Sequence, residues 1–419
     1  MTSRTAPVDL AQPTAPGGLA EPTGKLPRGS PPDLYELPAR LTFACECADG
    51  RRRAFIARQM DPLAAVQTAR PVALAGSPLA DVVVRDLSAP VAKELLAHRL
   101  AELHNAARDH MVSAFDGHQL HLIRGGRVCS IPDPLRHRPA IIACEATFPL
   151  EPLFGAVVRP ALQLALLGRG CAAVHAASVE VAGRAVLLAG WSESGKTEVS
   201  LALIEQGAAF LSDKWTVLDS GGGASIFPIG VGVRRWALPY LPRLAGSLPP
   251  AARRQFRAAA LATIASRPVR LATTGAGARG RAGVFLERAL AVADRAALTP
   301  SELRAAYRQR DDPSRGVPLG LLVLLTSVPD DEVSVRPVSP EWAAARLARA
   351  AAYERRDFFS LLQRRAYAEP LVEADPVAEA IAAERRLLEP LITDVPAIEV
   401  RMAFPSDPRA GAAAVSRWL

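Results

Sequence analysis

The stretch that decides the fold is Gly190-Trp191-Ser192-Glu193-Ser194-Gly195-Lys196-Thr197, which fits the phosphate-loop pattern G-x-x-x-x-G-K-[ST]. In a loop of this type, backbone N–H groups surround a phosphate, the lysine reaches its oxygens, and the final hydroxyl ligates Mg²⁺. The octapeptide therefore predicts that these eight residues, with Glu198 directly after them, bind the phosphates of a nucleotide. The alternative interpretation is a glycine turn that carries a solvated lysine.

The segments on both sides of this loop have the required character. Residues 184–189 form a short apolar run, which is typical of a buried strand. Residues 197–206 place apolar side chains at helical spacing, and Gly207 stands where a glycine commonly ends a helix. The order strand, loop, helix brings the positive end of the helix dipole to the predicted anion site.

The next predicted strand, residues 208–211, leads to Asp213. A carboxylate at a strand end beside the loop could ligate the metal or accept a proton from an acceptor hydroxyl. His175 begins the hairpin before the loop and could lie beside Asp213, orienting it or sharing its proton. Glu198 could act through the metal or phosphate ligands. The plainer alternatives are a turn residue for Asp213, a core histidine for His175 and a helix-start acid for Glu198.

Positive charge is distributed unevenly along the chain. Only four lysines are present, and two of them, Lys196 and Lys214, fall in or near the loop motif. Residues 234–315 hold sixteen arginines against five acids, so this segment has a net charge of +11. The whole chain has a net charge of +8, so the remaining residues sum to −3. A solvated helical face is one interpretation, and a surface for an acidic or phosphorylated partner is the other. No motif or aromatic interleaving favours a nucleic-acid partner.

The composition predicts a two-domain protein without a membrane segment. A chain of 419 residues with 49% hydrophobic content can fill two cores. Five irregularly spaced cysteines indicate free thiols in a reducing compartment rather than a disulfide framework. We find neither a signal peptide nor an apolar run that approaches the length of a membrane span, which predicts a cytoplasmic protein with no membrane partner.

The pattern along the chain divides it into a disordered tail (1–36), an N-terminal α/β domain (37–150) and a nucleotide-binding domain (151–419). Strands are predicted at 41–47, 81–85, on both sides of residues 124–126, and at 174–181, 184–188, 208–211, 215–218, 225–229, 319–327 and 398–404. Helices are predicted at 89–109, 152–168, 197–206, 340–353 and 377–388, whereas the arginine-rich segment reads as helices and loops.

Three motifs together resemble a known family. They are His175-Ala176-Ala177-Ser178-Val179, the loop with Glu198, and Leu211-Ser212-Asp213. In this order and spacing they resemble the C-terminal catalytic domain of HPr kinase/phosphorylase and, more closely, the HPr-kinase-related proteins of bacterial biosynthetic clusters. The clear match covers about residues 174–218, and a weaker likeness extends from about residue 152 to the C-terminus.

The resemblance implies an α/β fold with a mixed twisted sheet around a P-loop, like that of phosphoenolpyruvate carboxykinase. It implies a kinase that uses ATP and Mg²⁺ to phosphorylate a serine-type hydroxyl of a peptide, protein or small molecule. By this resemblance Lys196 and the loop hold phosphates, Thr197 holds Mg²⁺, and Asp213 is the general base, supported by His175. The position of Asp213 at the strand end also makes it the second candidate ligand of the metal beside Thr197. A homo-oligomer is left open.

The chain departs from the family at two places. Lys214 follows Asp213 where the family usually has a second acid, and the family's Leu-Glu-(Ile/Val)-Arg-Gly run is absent. HPr is therefore a poor candidate substrate. These departures keep two other functions open: a catalytically degenerate nucleotide-binding regulator or scaffold, and an arginine-rich interaction module in which the nucleotide is only structural.

Overall fold

The computed structural model describes residues 31–67, 80–87, 99–103, 111–116, 119–134, 138–265, 290, 293–309, 316–330, 332–368 and 375–419. Within these ranges the protein is a mixed α/β structure in which two mixed sheets account for most strands. The prediction of an α/β protein built around mixed sheets is confirmed at this level.

The first sheet is formed by strands between residues 33 and 144. They are β1 (Asp33–Leu37), β2 (Leu41–Glu46), β3 (Val66–Gln67), β4 (Val82–Asp86), β5 (Arg99–Leu103), β6 (Met111–Phe115), β7 (Leu120–Arg124), β8 (Arg127–Ile131) and β9 (Ala140–Cys144). Their order is β3-β1-β2-β4-β9-β8-β7-β6-β5. The β2–β4 and β4–β9 pairs are parallel and the other pairs are antiparallel.

The second sheet contains the strand that leads into the glycine-rich loop. Its members are β10 (Cys171–Val174), β11 (Ala176–Val181), β12 (Arg184–Gly190), β13 (Ala209–Ser212), β14 (Thr216–Asp219), β15 (Gly223–Ile226), β18 (Val317–Ser327), β19 (Ser334–Pro337) and β20 (Ala397–Met402). The main path is β10-β14-β15-β18-β12-β11-β13, and β20 pairs with both β18 and β19. Strand β18 lies parallel to β12 and β20 at the centre. A separate antiparallel pair joins β16 (Val231–Arg234) to β17 (Arg295–Leu298).

The helices are α1 (Gly50–Met60), α2 (Leu150–Leu167, with a π-helical turn at Phe154–Val158), α3 (Lys196–Glu205), α4 (Pro242–Ser247), α5 (Pro250–Ala265), α6 (Pro300–Ala306), α7 (Pro340–Glu354), α8 (Arg356–Ala368), α9 (Pro376–Ile392) and α10 (Pro408–Ser416). Four of them begin with proline after a capping side chain, namely Thr299, Ser339, Asp375 and Asp407. The cap accepts a first-turn N–H, and proline lacks the N–H that would otherwise be unpaired there.

The central strands are buried on both faces, which explains their continuous apolar runs. Val186 and Leu188 of β12 belong to a core shared with α3, whereas Leu187 belongs to a core on the opposite face that includes Leu347 of α7. A strand covered on both sides has no solvent-facing positions and therefore shows no polar alternation. A third core combines the first sheet with α2, α8 and Trp215, so the two sheets share packed side chains.

Most predicted elements are confirmed, and four predictions are corrected. The helix predicted at 89–109 is wrong at residues 99–103, which form β5 because pairing with β6 satisfies their backbone there. The rest of that prediction, like residues 1–30 of the predicted tail, lies outside the described residues. Residues 33–36 are not a disordered tail but part of β1. The arginine-rich segment contributes a strand, β17, besides helices.

The fourth correction concerns membrane-length segments. Helix α2 is long and apolar enough to cross a membrane by length and composition. It is mostly buried inside the fold, however, as a core helix is. The five cysteines are all buried and free of disulfides, as predicted.

One buried arginine connects the helices with the second sheet. The Arg355 guanidinium, only 1% exposed, donates to the Glu384 carboxylate at 2.6 Å, to Gln163 Oε1 at 2.8 Å and to the Ala173 carbonyl at 2.7 Å. It also lies over the Trp215 ring, 5.2 Å from the centroid. Burial raises the pKa of Glu384, and Arg355 opposes that rise. These contacts hold α2, α9, β10 and the junction of α7 and α8 together.

We predict that Arg355→Met lowers the free energy of unfolding by about 3–5 kcal/mol, because it leaves the Glu384 carboxylate buried without a cation. Urea titration followed by circular dichroism measures the change. The double variant Arg355→Met/Glu384→Leu should recover much of the loss, since it removes both buried charges. The exposed neighbour variant Arg356→Met is the matched control and should change the urea midpoint little. Equal stability of Arg355→Met and Arg356→Met would contradict the prediction.

Candidate functional site

The loop at residues 190–197, called here the 190–197 loop, connects the end of β12 to the start of α3. Gly190 has φ 154°, and a Cβ there would lie 2.5 Å from both the Leu325 carbonyl oxygen and Ser194 Oγ. Gly195, which precedes α3, has φ 89°. Gly190 is therefore required because a side chain would not fit there and because of its backbone conformation. Gly195 is required because its backbone is left-handed.

The Lys196 side chain folds back over the start of the loop. Its Nζ donates to the Gly190 carbonyl at 2.9 Å and to the Trp191 carbonyl at 2.6 Å. Burial lowers the pKa of Lys196 to about 8, although the charges of Asp213 and Glu354 act in the opposite direction. The ammonium is thus held by neutral carbonyls inside the loop, in a place where an anion would stabilise its charge.

The start of α3 has unused donor capacity. Gly195 offers no side chain to cap the helix, so the first-turn N–H groups receive no cap there. Ser194 is 2% exposed, and its Oγ has no hydrogen-bond partner among the described residues. A buried hydroxyl without a partner is costly, and the positive end of a helix attracts anions. The two features together suit a phosphate group.

Thr197 and Asp213, which the sequence analysis placed at the metal, are in direct contact. Thr197 Oγ1 donates to Asp213 Oδ1 at 2.8 Å. Burial raises the pKa of Asp213, and the Thr197 hydrogen bond and the Arg295 charge partly offset that rise. This oxygen pair fits Mg²⁺, which takes one or two protein carboxylates or hydroxyls and completes its shell from phosphates and water. Within the described ranges, no group of three or more His, Cys, Asp or Glu side chains is arranged to hold a metal alone.

Glu198 and Glu193 face an arginine that the sequence analysis did not place in the site. Arg234 Nη2 lies 3.0 Å from Glu193 Oε1, and its Nε lies 3.7 Å from Glu198 Oε1. Burial raises the pKa of Glu198, whereas the Arg234 charge lowers it. The guanidinium also lies over Phe404, which would contact a Cβ at Gly195. Glu198 therefore helps to place Arg234 beside the loop.

His175 lies between a carboxylate and an aromatic ring. Its Nδ1 is 3.9 Å from Glu354 Oε1, and its ring centroid is 5.3 Å from that of Trp215. Burial lowers the pKa of His175 to about 3, helped by the nearby charges of Lys196 and Lys214. The imidazole is consequently neutral near pH 7. No hydrogen bond joins it to Asp213 in the part of the chain that the structure describes.

The exposed side of the 190–197 loop carries an aromatic stack. Trp191 is 51% exposed, and its ring centroid lies 4.3 Å from that of Tyr353 at the end of α7. The Arg356 guanidinium lies over the Tyr353 ring, 4.1 Å from its centroid. Ser192 and Glu193 are exposed beside Trp191. The loop therefore presents polar and aromatic groups outward and keeps Ser194 and Lys196 inward.

Sequence reasoning missed four contributors to this site: Glu354, Arg234, Tyr353 and Arg295. Glu354 is at the end of a helix that was expected to stop one residue earlier, and Arg295 was one of sixteen arginines in a segment without a pattern. No local signal marks these residues, because they reach the loop only through long-range packing. Arg234 and Arg295 add positive charge near the loop, Glu354 adds a carboxylate, and Tyr353 adds an aromatic ring.

The chain was also compared with known proteins. No protein-family model matches it. A search of curated protein sequences found no match either.

Proposed function

We propose that this protein binds ATP with Mg²⁺ at the 190–197 loop and transfers the γ-phosphoryl group to a hydroxyl of a peptide, protein or small molecule. The observation that carries the proposal is the contact of Thr197 Oγ1 with Asp213 Oδ1 at 2.8 Å, directly after a loop that encloses the Lys196 ammonium. A plain glycine turn with a solvated lysine would give neither the buried ammonium nor the carboxylate beside the hydroxyl.

The residues of the loop supply binding and orientation. The amides at the start of α3, the Ser194 hydroxyl and Lys196 would hold the phosphates, with Lys196 exchanging its loop carbonyls for phosphate oxygens. Thr197 and Asp213 would hold Mg²⁺, which supplies charge neutralisation for the β- and γ-phosphates when it is bound. Arg234, which lies close to the loop beside exposed Glu193 and buried Glu198, can turn toward a phosphate.

Asp213 would accept the acceptor's proton. Its raised pKa makes the carboxylate more basic than an exposed aspartate. The acceptor oxygen forms a bond to the γ-phosphorus, the bond from that phosphorus to the β–γ bridging oxygen breaks, ADP leaves, and the hydroxyl proton passes to Asp213. Neutral His175 would not share a charge with Asp213, and its contacts fix Glu354 and Trp215 instead.

A second candidate function is a nucleotide-binding regulator without transfer activity. Two observations favour it: Lys214 follows Asp213 in place of an acid, and Asp213 is the one carboxylate in hydrogen-bond contact with Thr197 among the described residues. Both candidates need the same nucleotide site, so they differ only in turnover.

We predict that the nucleotide raises the melting temperature of the wild type and that Lys196→Ala abolishes this shift, because the cation at the phosphates is lost. Asp213→Asn should keep at least part of the nucleotide shift and lose transfer by about 100-fold or more, as expected for removal of a general base. The measurements are thermal melting with Mg·ATP and transfer of labelled γ-phosphate to a panel of hydroxyl acceptors.

The exposed variant Arg253→Met is the control for a general effect of removing a cation. Absence of any nucleotide shift in the wild type would contradict both candidate functions. A shift that Lys196→Ala abolishes, without labelling of any acceptor, would favour the regulator over the kinase.

A pH dependence follows from Lys196. Because its pKa in the free protein is about 8, the side chain is charged at pH 7 and loses its proton as the pH rises above 8. A bound phosphate favours the charged form, so the Kd of the ATP analogue AMP-PNP should rise between pH 8 and pH 9.5, by up to about tenfold per pH unit. Calorimetry at several pH values measures this. Lys196→Arg keeps its charge over the range, so an equal pH dependence of both proteins would refute the role of Lys196.

A further inference from the structure

Lys214 occupies a fixed turn at the edge of the site. It has φ 61°, a conformation that non-glycine residues adopt uncommonly, and the Trp215 N–H closes the turn on the Asp213 carbonyl at 2.6 Å. Asp213 is held by Thr197 on one side of the turn. Trp215 is held on the other side, between His175 and Arg355. The turn that carries Lys214 is therefore held by contacts of the residues on both sides of it.

The Lys214 side chain has no protein partner that accounts for its position. It is half-buried, yet its ammonium makes no hydrogen bond or ion pair with any residue that the structure describes. The charged groups close enough to act on this ammonium are two cations, Arg159 and Arg295, and two carboxylates, Glu354 and Asp213.

Arg159 of helix α2 is a second cation in the same condition. Its Nε is buried and has no hydrogen-bond partner, and its guanidinium lies over the Phe154 ring, 5.9 Å from the centroid. Burial lowers the pKa of Arg159 to about 10, and no carboxylate among the described residues pairs with it. A buried guanidinium nitrogen without an acceptor is costly, so Arg159, together with the Lys214 ammonium near it, suits an anion from outside the chain.

Under the proposed function, an acceptor would enter beside the first part of the loop and the end of α7. Lys196 contacts the carbonyls of Gly190 and Trp191. Since the lysine of a phosphate loop reaches the γ-phosphate, the first part of the loop would border that phosphate. Tyr353 stacks on Trp191, and the adjacent Glu354 contacts His175, so the end of α7 borders the same region. Lys214 is next to Asp213, the proposed proton acceptor.

We propose that the hydroxyl acceptor carries its own anionic group, a phosphate or a carboxylate, and that Lys214 and Arg159 bind this group while Asp213 faces the hydroxyl. The inference rests on the proposed kinase function and deepens it by naming the substrate class. It also gives Lys214 a role at a position where an acid would have repelled such an acceptor. A guanidinium and an ammonium together provide both directional and adaptable donors for an oxyanion.

The test uses the full chain saturated with Mg·AMP-PNP, so that the γ-phosphate position is filled. Glycerol 3-phosphate, glycerate and glycerol are then titrated, and melting temperature and calorimetric Kd are measured. We expect at least one of the two anions to bind to the complex and glycerol not to bind at the same concentrations. The phosphate and carboxylate arms show which anion the site accepts.

Lys214→Asn, which suits the left-handed turn, and Arg159→Met should each weaken anion binding about tenfold and change the AMP-PNP Kd less than about twofold. Lys214→Arg should retain anion binding, and Arg253→Met is the surface control. Retained AMP-PNP binding shows that each variant is folded at the site.

Three results would overturn the inference: no binding of either anion, anion binding that both variants leave unchanged, or variants that weaken AMP-PNP as much as the anion. If AMP-PNP itself causes no shift in the wild type, the proposed function fails and the inference fails with it. If AMP-PNP binds and neither anion does, only the inference fails.

Discussion

The buried guanidinium of Arg355 determines where one wall of the site stands. It is bound to Glu384, Gln163 and the backbone of Ala173, three groups from different elements, so these contacts connect the junction of α7 and α8 to α9, α2 and β10. The two residues before it, Tyr353 and Glu354, contact Trp191 and His175. A structural ion pair in the core therefore sets the position of the aromatic and acidic groups beside the 190–197 loop.

Four ionisable groups of the site share one electrostatic condition. Burial favours their neutral forms: the pKa values of Lys196 and Lys214 are lowered, and those of Asp213 and Glu198 are raised. Mutual attraction offsets only part of this effect. A site of this kind responds strongly to a charged ligand, because an anion that stabilises the cations and a metal that stabilises Asp213 both act where screening by water is weak.

Local sequence patterns predicted the central part of the molecule and failed where long-range contacts decide. Motif and spacing predicted the strand over residues 184–188, the glycines at 190 and 195 and the assignment of Thr197 and Asp213 to one site, where the structure brings the two side chains into contact. Residues 99–103 have a helical spacing of apolar residues, but they form a strand because they pair with β6, a contact that the local pattern does not indicate. The role of Glu198 and the surroundings of His175 could not be derived either, since Arg234 and Glu354 come from distant parts of the chain. When a charged residue lies outside a motif or repeat, the sequence does not indicate which residue it will contact in the folded protein.

The parallel alignment of Gly190 with Leu325 also determines when the site can form during synthesis. The loop needs the Leu325 carbonyl on one side, and the residues beside it, Tyr353 and Phe404, follow still later in the chain. A nascent chain that has emerged only as far as α3 has the octapeptide but not the strand against which it packs. Under the proposed function, nucleotide binding thus cannot guide the early stages of vectorial folding and can stabilise the protein only after residues up to Phe404 have left the ribosome.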